Sequence, residues 1–180
     1  SPTGWDPVAK RDSTAVTVLA LGDETSSHRV LDRIAWTNVP LPTIRGALTQ
    51  LMHHWNPIVT VVDATGLGLG LYQWLAQAAG KRHRVEPFVF TSQSKSDLGW
   101  KLLGLVDSGR IQDYADDGEP ISREFRTQLT QTEYALRAGP GKLMSWGVPA
   151  SRGHDDLVLS FALAAHLDTL SLSRRIARGH

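Results

Sequence analysis

The chain has 180 residues and no cysteine, and its 19 Lys and Arg almost balance 18 Asp and Glu, which gives a net charge of +1. The absence of cysteine excludes a disulfide scaffold, a thiol nucleophile and a cysteine-ligated zinc or iron–sulfur site. Hydrophobic residues make up 41% of the chain, enough to form a core, so wholesale disorder is excluded. No apolar run approaches the roughly 18 residues of a membrane span, and no membrane association is expected.

Strand and helix patterns alternate through the first half of the chain. β-Branched and alternating apolar runs predict strands, and apolar residues at helical spacing predict helices. The predicted elements are strands at 3–7, 14–21 and 28–36, a helix at 42–55, a strand at 58–62 and, after a glycine-rich turn, a helix at 71–79. The strand at 28–36 is expected to pair antiparallel with the one before it, whereas the continuous apolar run at 58–62 is typical of a buried parallel strand.

The second half continues this alternation and ends in a hairpin and a final helix. The predicted elements are a strand at 84–90, helices at 94–108 and 121–132, hairpin strands at 134–137 and 142–146, and an apolar helix at 157–170. In the helix at 121–132, Phe125 and Leu129 are expected to face inward.

The order of these elements predicts an α/β fold. Three antiparallel strands followed by parallel strand–helix units form a mixed sheet flanked by helices, with a β-hairpin late in the chain. One domain is expected over residues 1–170, followed by a flexible basic tail at 171–180.

Aspartates stand at the ends of predicted elements, where a carboxylate is costly unless a cation or hydrogen bonds compensate it. Asp6 ends the first strand and Asp63 ends the most apolar strand, while Asp155 and Asp156 open the final helix. Each also has an ordinary interpretation. Asp63 followed by Thr65 fits a turn, and either aspartate of the final helix fits a cap. As a set they form a specific topological pattern.

This pattern resembles the C-terminal nuclease domain of the phage large terminase subunit, in the ribonuclease H-like superfamily. The matching stretches are 4–7, 12–15, 61–68, 91–95 and 153–158. The most specific segments read Asp-Ala-Thr-Gly-x-Gly and His-Asp-Asp-Leu-Val, and the order and spacing match over about residues 4–170. No Gly-Lys-Ser/Thr phosphate-binding loop is present, so the ATPase domain of such a subunit is expected to lie outside this chain.

The resemblance implies a metal-dependent nuclease. Asp6 and Asp63 would bind two Mg²⁺ or Mn²⁺ ions together with carboxylates of the Asp155-Asp156 pair, and oxygen-only ligands suit these hard cations. Asp6, Asp63 and Asp155 would be the catalytic residues. Two ions would activate a water for in-line attack on a phosphodiester and stabilise the leaving 3′-oxygen.

The geometry of the final helix favours Asp155 over Asp156 as the inward ligand. On a helical wheel the predicted buried face contains Val158, Phe161, Ala162 and Ala165. Asp155 lies at the margin of this face and Asp156 well outside it. Asp156 is therefore expected to be a second ligand or a cap, and the choice of main ligand stays open.

Basic residues on loops and hairpin arms are predicted to surround the acidic site and to contact DNA phosphates. The candidates are Lys95, Arg137, Lys142 and Arg152, with His154 as a further candidate for the scissile phosphate. Each also has an ordinary interpretation as surface charge, and His154 as a bystander at the helix start. Trp146 on the hairpin is the aromatic residue best suited to contact DNA or a partner.

The resemblance implies that the domain cuts concatemeric double-stranded DNA during packaging, in the cytoplasm of a phage-infected host. The implied partners are DNA, the ATPase domain of the same subunit, the portal and the small terminase subunit. Two alternatives stay open: another ribonuclease H-like nuclease, such as a junction resolvase or transposase core, and a non-catalytic DNA-binding or docking module of the same fold. An actin-like ATP-binding fold is disfavoured, because it needs two such halves and a longer chain.

Overall fold

The computed structural model describes residues 13–170, so the strand predicted at 3–7, Asp6 and the tail at 171–180 lie outside the described residues. The helices are α1 (Leu41–Trp55), α2 (Gly68–Ala79), α3 (Ser92–Asp107), α4 (Pro120–Gln131), α5 (Asp156–Ala162) and α6 (Ala164–Leu167). The strands are β1 (Ser13–Ala20), β2 (His28–Thr37), β3 (Val59–Asp63), β4 (Arg84–Phe88), β5 (Ile111–Gln112), β6 (Glu133–Leu136) and β7 (Met144–Gly147). No helix in this range combines the length and apolar composition that a bilayer-crossing segment requires.

The strands pair in both directions, as an α/β fold of the predicted kind requires. β1 and β2 are antiparallel, and β5 adds to β2 in parallel. β3 and β4 are parallel, and β6 and β7 form the antiparallel hairpin. The predicted mixed α/β architecture with a late hairpin is confirmed. β5 has only two residues, too few to show a periodic pattern, and no sequence signal predicts it.

One apolar core joins the strands to the later helices. α5 packs on β1, α4 packs on α5 and β2, and α3 packs on β7 and α6. The predicted buried face of the final helix is confirmed by the burial of Val158, Phe161, Ala162 and Ala165. Each fully buried side chain of Val or Phe size contributes about 1.5–3 kcal/mol. The amino end of α5 is thereby held against both β1 and α4.

Helix α2 begins at Gly68 rather than at residue 71. The carbonyls of Thr65 and Gly66 accept hydrogen bonds from the amides of Gly68 and Leu69 at 3.0 and 3.2 Å. The glycine-rich turn after β3 therefore already winds as the first turn of the helix.

The final helix is shorter than predicted and is interrupted. α5 ends at Ala162 and α6 covers only Ala164–Leu167, in place of one helix over 157–170. Leu163 keeps helical dihedral angles, but the His166 amide donates to the Leu163 carbonyl three residues back, at 3.1 Å. Bonds of this spacing tighten the helix, so the regular α-helical pattern stops at Ala162.

Helix α4 buries a different side from the one predicted. Phe125 is 1% exposed, as expected, but Leu129 is 47% exposed and Gln128 only 2%. Ser122, Phe125 and Gln128 are spaced three residues apart and share the buried stripe. The prediction that Leu129 faces inward is wrong, because Gln128 has hydrogen-bond partners in the interior and takes that place.

Asp168, just after α6, ties together the starts of β2 and β5. Its Oδ1 lies 3.0 Å from His28 Nε2, and Arg110 reaches its two oxygens at 3.0 and 3.1 Å. His28 Nδ1 accepts from the Gly22 amide at 2.9 Å, so Nε2 donates to Asp168. Burial by itself raises the pKa of Asp168, but the hydrogen bonds and charges of His28 and Arg110 outweigh it and hold the pKa below its usual value.

Asp168→Asn should destabilise the fold at neutral pH by about 1–2 kcal/mol, because the charge-assisted bonds to His28 and Arg110 weaken. A carboxyl group whose pKa is lower in the folded than in the unfolded protein stabilises the folded state. Its full contribution is present above the unfolded pKa of about 3.9, and it is lost as the pH falls through the pKa of the folded state. The gap between wild type and variant in urea unfolding should therefore be present at neutral pH and shrink near pH 3. Asp107→Asn, at the exposed end of α3, is the control. A gap that is equal at both pH values would contradict the assignment.

Candidate metal and DNA site

Asp63 ends β3 as predicted, and its side chain is exposed. Its Oδ1 accepts a hydrogen bond from the Thr65 amide at 2.9 Å, which closes a turn of the Asx type. The Thr65 hydroxyl accepts from the Phe90 amide at 2.8 Å, just beyond the end of β4. One carboxylate oxygen thus shapes the turn at the edge where β3 and β4 both end, so the turn and ligand interpretations of Asp63 are compatible.

Asp155 occupies the N-cap position of α5, but its side chain makes no capping hydrogen bond. Its carboxylate lies at the end of β7 instead. A Cβ built on Gly147 would lie 3.1 Å from Asp155 Oδ2 and 3.3 Å from Lys95 Nζ. Gly147 has a φ of 139°, which side-chain-bearing residues rarely adopt. The glycine therefore leaves the space that an acidic and a basic side chain share.

The surroundings of Asp155 penalise its negative charge. Burial raises the pKa of the Asp155 carboxyl and the Asp156 carboxylate raises it further, while Lys95 and His154 lower it; the net pKa lies above the usual value. A bound cation would offset both desolvation and the like charge. The carboxylate is electrostatically suited to hold a metal ion.

An open groove of about 320 Å³ adjoins Asp155. Lys95 and Asp155 line it together with residues of both hairpin strands and of the loop after β7. Tyr134 of β6 is among the lining residues and is exposed. A carboxylate, an ammonium group and an exposed aromatic ring therefore border one surface, on which the ammonium group is the one suited to a phosphate.

Both oxygens of Asp156 have protein partners. Oδ2 accepts from the Ser13 hydroxyl at 2.7 Å, and Oδ1 accepts from the Gln128 side-chain amide at 3.1 Å. Gln128 Oε1, on the side chain, accepts from the backbone amides of Leu157 and Val158 at 3.0 and 3.2 Å. Asp156 is therefore built into a network that joins β1, α4 and α5, whereas Asp155 lines the groove.

Gln128 and Ser13 belong to this site although the sequence predicts a role for neither; Ser13 lies in the matching stretch 12–15. A polar residue three positions after Phe125, in an inward stripe, is the one local signal for Gln128. Ser13 and Asp156 are 143 positions apart in the sequence, a contact that no local pattern reveals.

The hairpin is fixed to α3 by two hydrogen bonds. Trp146 Nε1 donates to the Lys95 carbonyl at 2.6 Å, and the Met144 amide donates to the Ser96 hydroxyl at 2.8 Å. Trp146 is only 8% exposed but is among the residues that line the groove, so its contact with DNA or a partner stays a prediction. The indole is a packing group, and Lys95 Nζ lies 5.2 Å from its ring centroid. The tryptophan therefore helps to place Lys95 at the groove.

Of the predicted DNA-contact residues, Lys95 is the one whose side chain lies beside the Asp155 carboxylate. Arg152 makes an exposed ion pair with Glu133, which lines the groove, with 2.5 Å between Nη1 and Oε1. The remaining candidates are all exposed: Arg137 and Lys142 in the connection between the hairpin strands, and His154 beside Asp155.

The predicted ligands fit a hard divalent cation in donor chemistry, since Asp63 and Asp155 offer only carboxylate oxygens. Between residues 13 and 170, no group of three or more His, Cys, Asp or Glu is close enough to hold a metal ion. Asp6, the third predicted ligand, lies outside that range. The ligand set of Asp6, Asp63, Asp155 and Asp156 stays a prediction.

Comparison with known proteins agrees with the resemblance. A family model described as the terminase RNaseH-like domain matches residues 3–166. A probable terminase, ATPase subunit, of Haemophilus phage HP1 (strain HP1c1) is 26% identical over 112 residues, which are 61% of this chain. The chain covers 18% of that relative's length.

Solved structures share the fold. The large terminase nuclease from thermophilic phage G20c with bound magnesium has a TM-score of 0.60 at 19% identity, over 86% of this chain and 82% of that chain. The cobalt-bound form of that nuclease has a TM-score of 0.61 at 20% identity, over 86% of this chain and 81% of that chain. The Thermus phage P74-26 large terminase nuclease domain has a TM-score of 0.56 at 20% identity, over 85% of this chain and 78% of that chain. The expected resemblance to terminase nuclease domains is thereby confirmed.

Gly99→Ala should destabilise the protein by about 1–3 kcal/mol through overpacking. A Cβ on Gly99 would lie 2.5 Å from Trp146 Nε1 and 2.9 Å from Met144 Sδ, so the hairpin would have to move off α3. Gly104 lies in the same helix with nothing within 4 Å of such a Cβ, and Gly104→Ala should be neutral or stabilise by up to about 1 kcal/mol. Chemical denaturation of both variants measures the contrast. Equal effects at the two positions would contradict the packing described for the hairpin.

Proposed function

The chain belongs to the family of terminase ribonuclease H-like domains, and we propose that it is a metal-dependent endonuclease that hydrolyses phosphodiester bonds in double-stranded DNA. The observation that carries the proposal is the position of Asp155. It is half-buried, its side chain makes no capping hydrogen bond to α5, and it borders the same groove as Lys95. An acid held in this way is poorly explained as a structural cap and well explained as a metal ligand beside a phosphate-binding group.

Each protein group has a definite task in this proposal. Asp6, Asp63 and Asp155 would hold Mg²⁺ or Mn²⁺, with Asp156 as an additional ligand or as the residue that anchors α5. Divalent ions bound there would supply Lewis-acid activation of a water and of the leaving 3′-oxygen, which is the chemistry of two-metal nucleases.

The basic side chains would hold the DNA in place. Lys95 would neutralise a phosphate beside the acidic groups, and its place over Trp146 limits the orientations that it can adopt. Arg152 and His154 lie on the loop that leads from β7 to Asp155, and they would contact neighbouring phosphates. Because these contacts are to phosphates rather than to base edges, little sequence specificity is expected.

The biological setting is also part of the proposal. The relative in Haemophilus phage HP1 is described as an ATPase subunit, and this chain covers 18% of its length. We therefore propose that the domain works beside an ATPase domain of the same subunit, with the portal and the small terminase subunit as partners. It would cut concatemeric DNA during packaging in the cytoplasm of a phage-infected host.

Asp63→Asn and Asp155→Asn should each reduce nicking of supercoiled plasmid by more than about a hundredfold, because each removes a negatively charged metal ligand. Wild type should cut with Mn²⁺ or Mg²⁺ and be inactive in EDTA. The control is Asp97→Asn, an exposed acid on α3 that should retain full activity. A wild-type protein that binds DNA but never cuts it with either metal would favour the non-catalytic docking alternative.

Lys95→Ala and Lys142→Ala should each weaken binding to duplexes of any sequence. Each should also reduce the slope of log K against log salt by about 1, since one phosphate contact is lost. The charge-matched controls are Lys81→Ala and Arg82→Ala, which lie before β4, at the opposite end of the strands from Asp63. Fluorescence anisotropy over a salt series measures the slopes. If the control variants lost as much DNA affinity as Lys95→Ala and Lys142→Ala, a DNA surface on the groove side would be contradicted.

A further inference from the structure

We infer that Gln128 is a positioning residue for the metal site: it caps α5 from outside and so leaves the Asp155 carboxylate free to bind metal. The inference rests on the proposed function, because it assumes that Asp155 is a ligand. The hydrogen bonds by which Gln128 of α4 caps α5 involve no metal, so this part of the inference can be tested without one.

A helix start leaves backbone amides without partners inside the helix. An aspartate at the N-cap ordinarily accepts a hydrogen bond from the second or third amide of the helix. In α5 these amides belong to Leu157 and Val158, and both donate to Gln128 Oε1, at 3.0 and 3.2 Å. Gln128 therefore occupies the bonds that Asp155 would otherwise make.

The side chain of Asp155 shows the consequence. It makes no capping bond, and its Oδ2 lies over Gly147 beside the groove. A capping rotamer would draw the carboxylate back onto the amides of its own helix. Capping and groove-lining are thus competing positions of one side chain, and the contacts of Gln128 favour the second.

The orientation of Gln128 is itself fixed. Its side chain is buried, and its Nε2 donates to Asp156 Oδ1 at 3.1 Å and to Glu124 Oε1 at 3.3 Å. A flipped amide would place its oxygen against two carboxylates and its nitrogen against two donor amides. Asp156 is held in turn by Ser13 of β1, so three elements fix the cap.

Gln128→Met keeps the length and approximate volume of the side chain but removes the acceptor. In this variant Asp155 should turn to cap α5, and the affinity of the metal-free full chain for Mn²⁺, measured by calorimetry, should fall by about 10- to 100-fold. A crystal structure of the metal-free variant should show Asp155 accepting from Leu157 or Val158. The matched control is Ser122→Ala, which removes a partly buried hydrogen bond to Asp117 from the same face of α4 as Gln128. Its Mn²⁺ affinity should equal that of wild type.

A measurement on the wild type covers the case in which Gln128→Met does not fold. Trans-hydrogen-bond NMR couplings should join the Leu157 and Val158 amides to the Gln128 side-chain carbonyl. Couplings to the Asp155 carboxyl instead would overturn the inference, as would equal Mn²⁺ affinities in Gln128→Met and Ser122→Ala. A wild type that shows the Gln128 couplings but binds no Mn²⁺ would overturn the proposed function, and with it the role given to the cap.

Discussion

The start of helix α5 depends on one buried amide. Gln128 accepts from two helix amides and donates to Asp156, so a single side chain of α4 satisfies a helix end and a carboxylate together. Leaving such buried groups unpaired costs about 1–3 kcal/mol each. Since Asp156 also bonds to Ser13, the network sets where α5 meets β1 and α4, and thereby where Asp155 begins.

The seating of the hairpin on α3 supplies the other half of the site. Gly99 lets the Trp146 indole approach the helix backbone, and the indole then bonds to the Lys95 carbonyl. Lys95 consequently lies over Gly147, where the Asp155 carboxylate also lies. A near-neutral chain can in this way place an acidic and a basic side chain at one groove.

Much of the fold could be predicted from sequence periodicity. Long amphipathic or β-branched segments, such as those that form β1, β2, α1 and α3, carry several residues that report the same structure. Prediction failed where one distant contact outweighs the local pattern. Gln128 displaces Leu129 from the interior because of hydrogen bonds to α5. The broken final helix reflects a change in backbone hydrogen-bond spacing that side-chain patterns do not report.

The candidate site was likewise predicted in part from local sequence and in part only from contacts between distant segments. The sequence by itself determined the fold class, the aspartates at the ends of elements, and the resemblance to terminase nuclease domains, since residue identity and spacing are local information. Only the tertiary structure decided which carboxylate of the Asp155-Asp156 pair borders the groove, and that Gln128, Ser13 and Gly147 arrange it. The surroundings of each carboxylate depend on hydrogen bonds and packing between segments that are far apart in the chain, and local sequence does not report them.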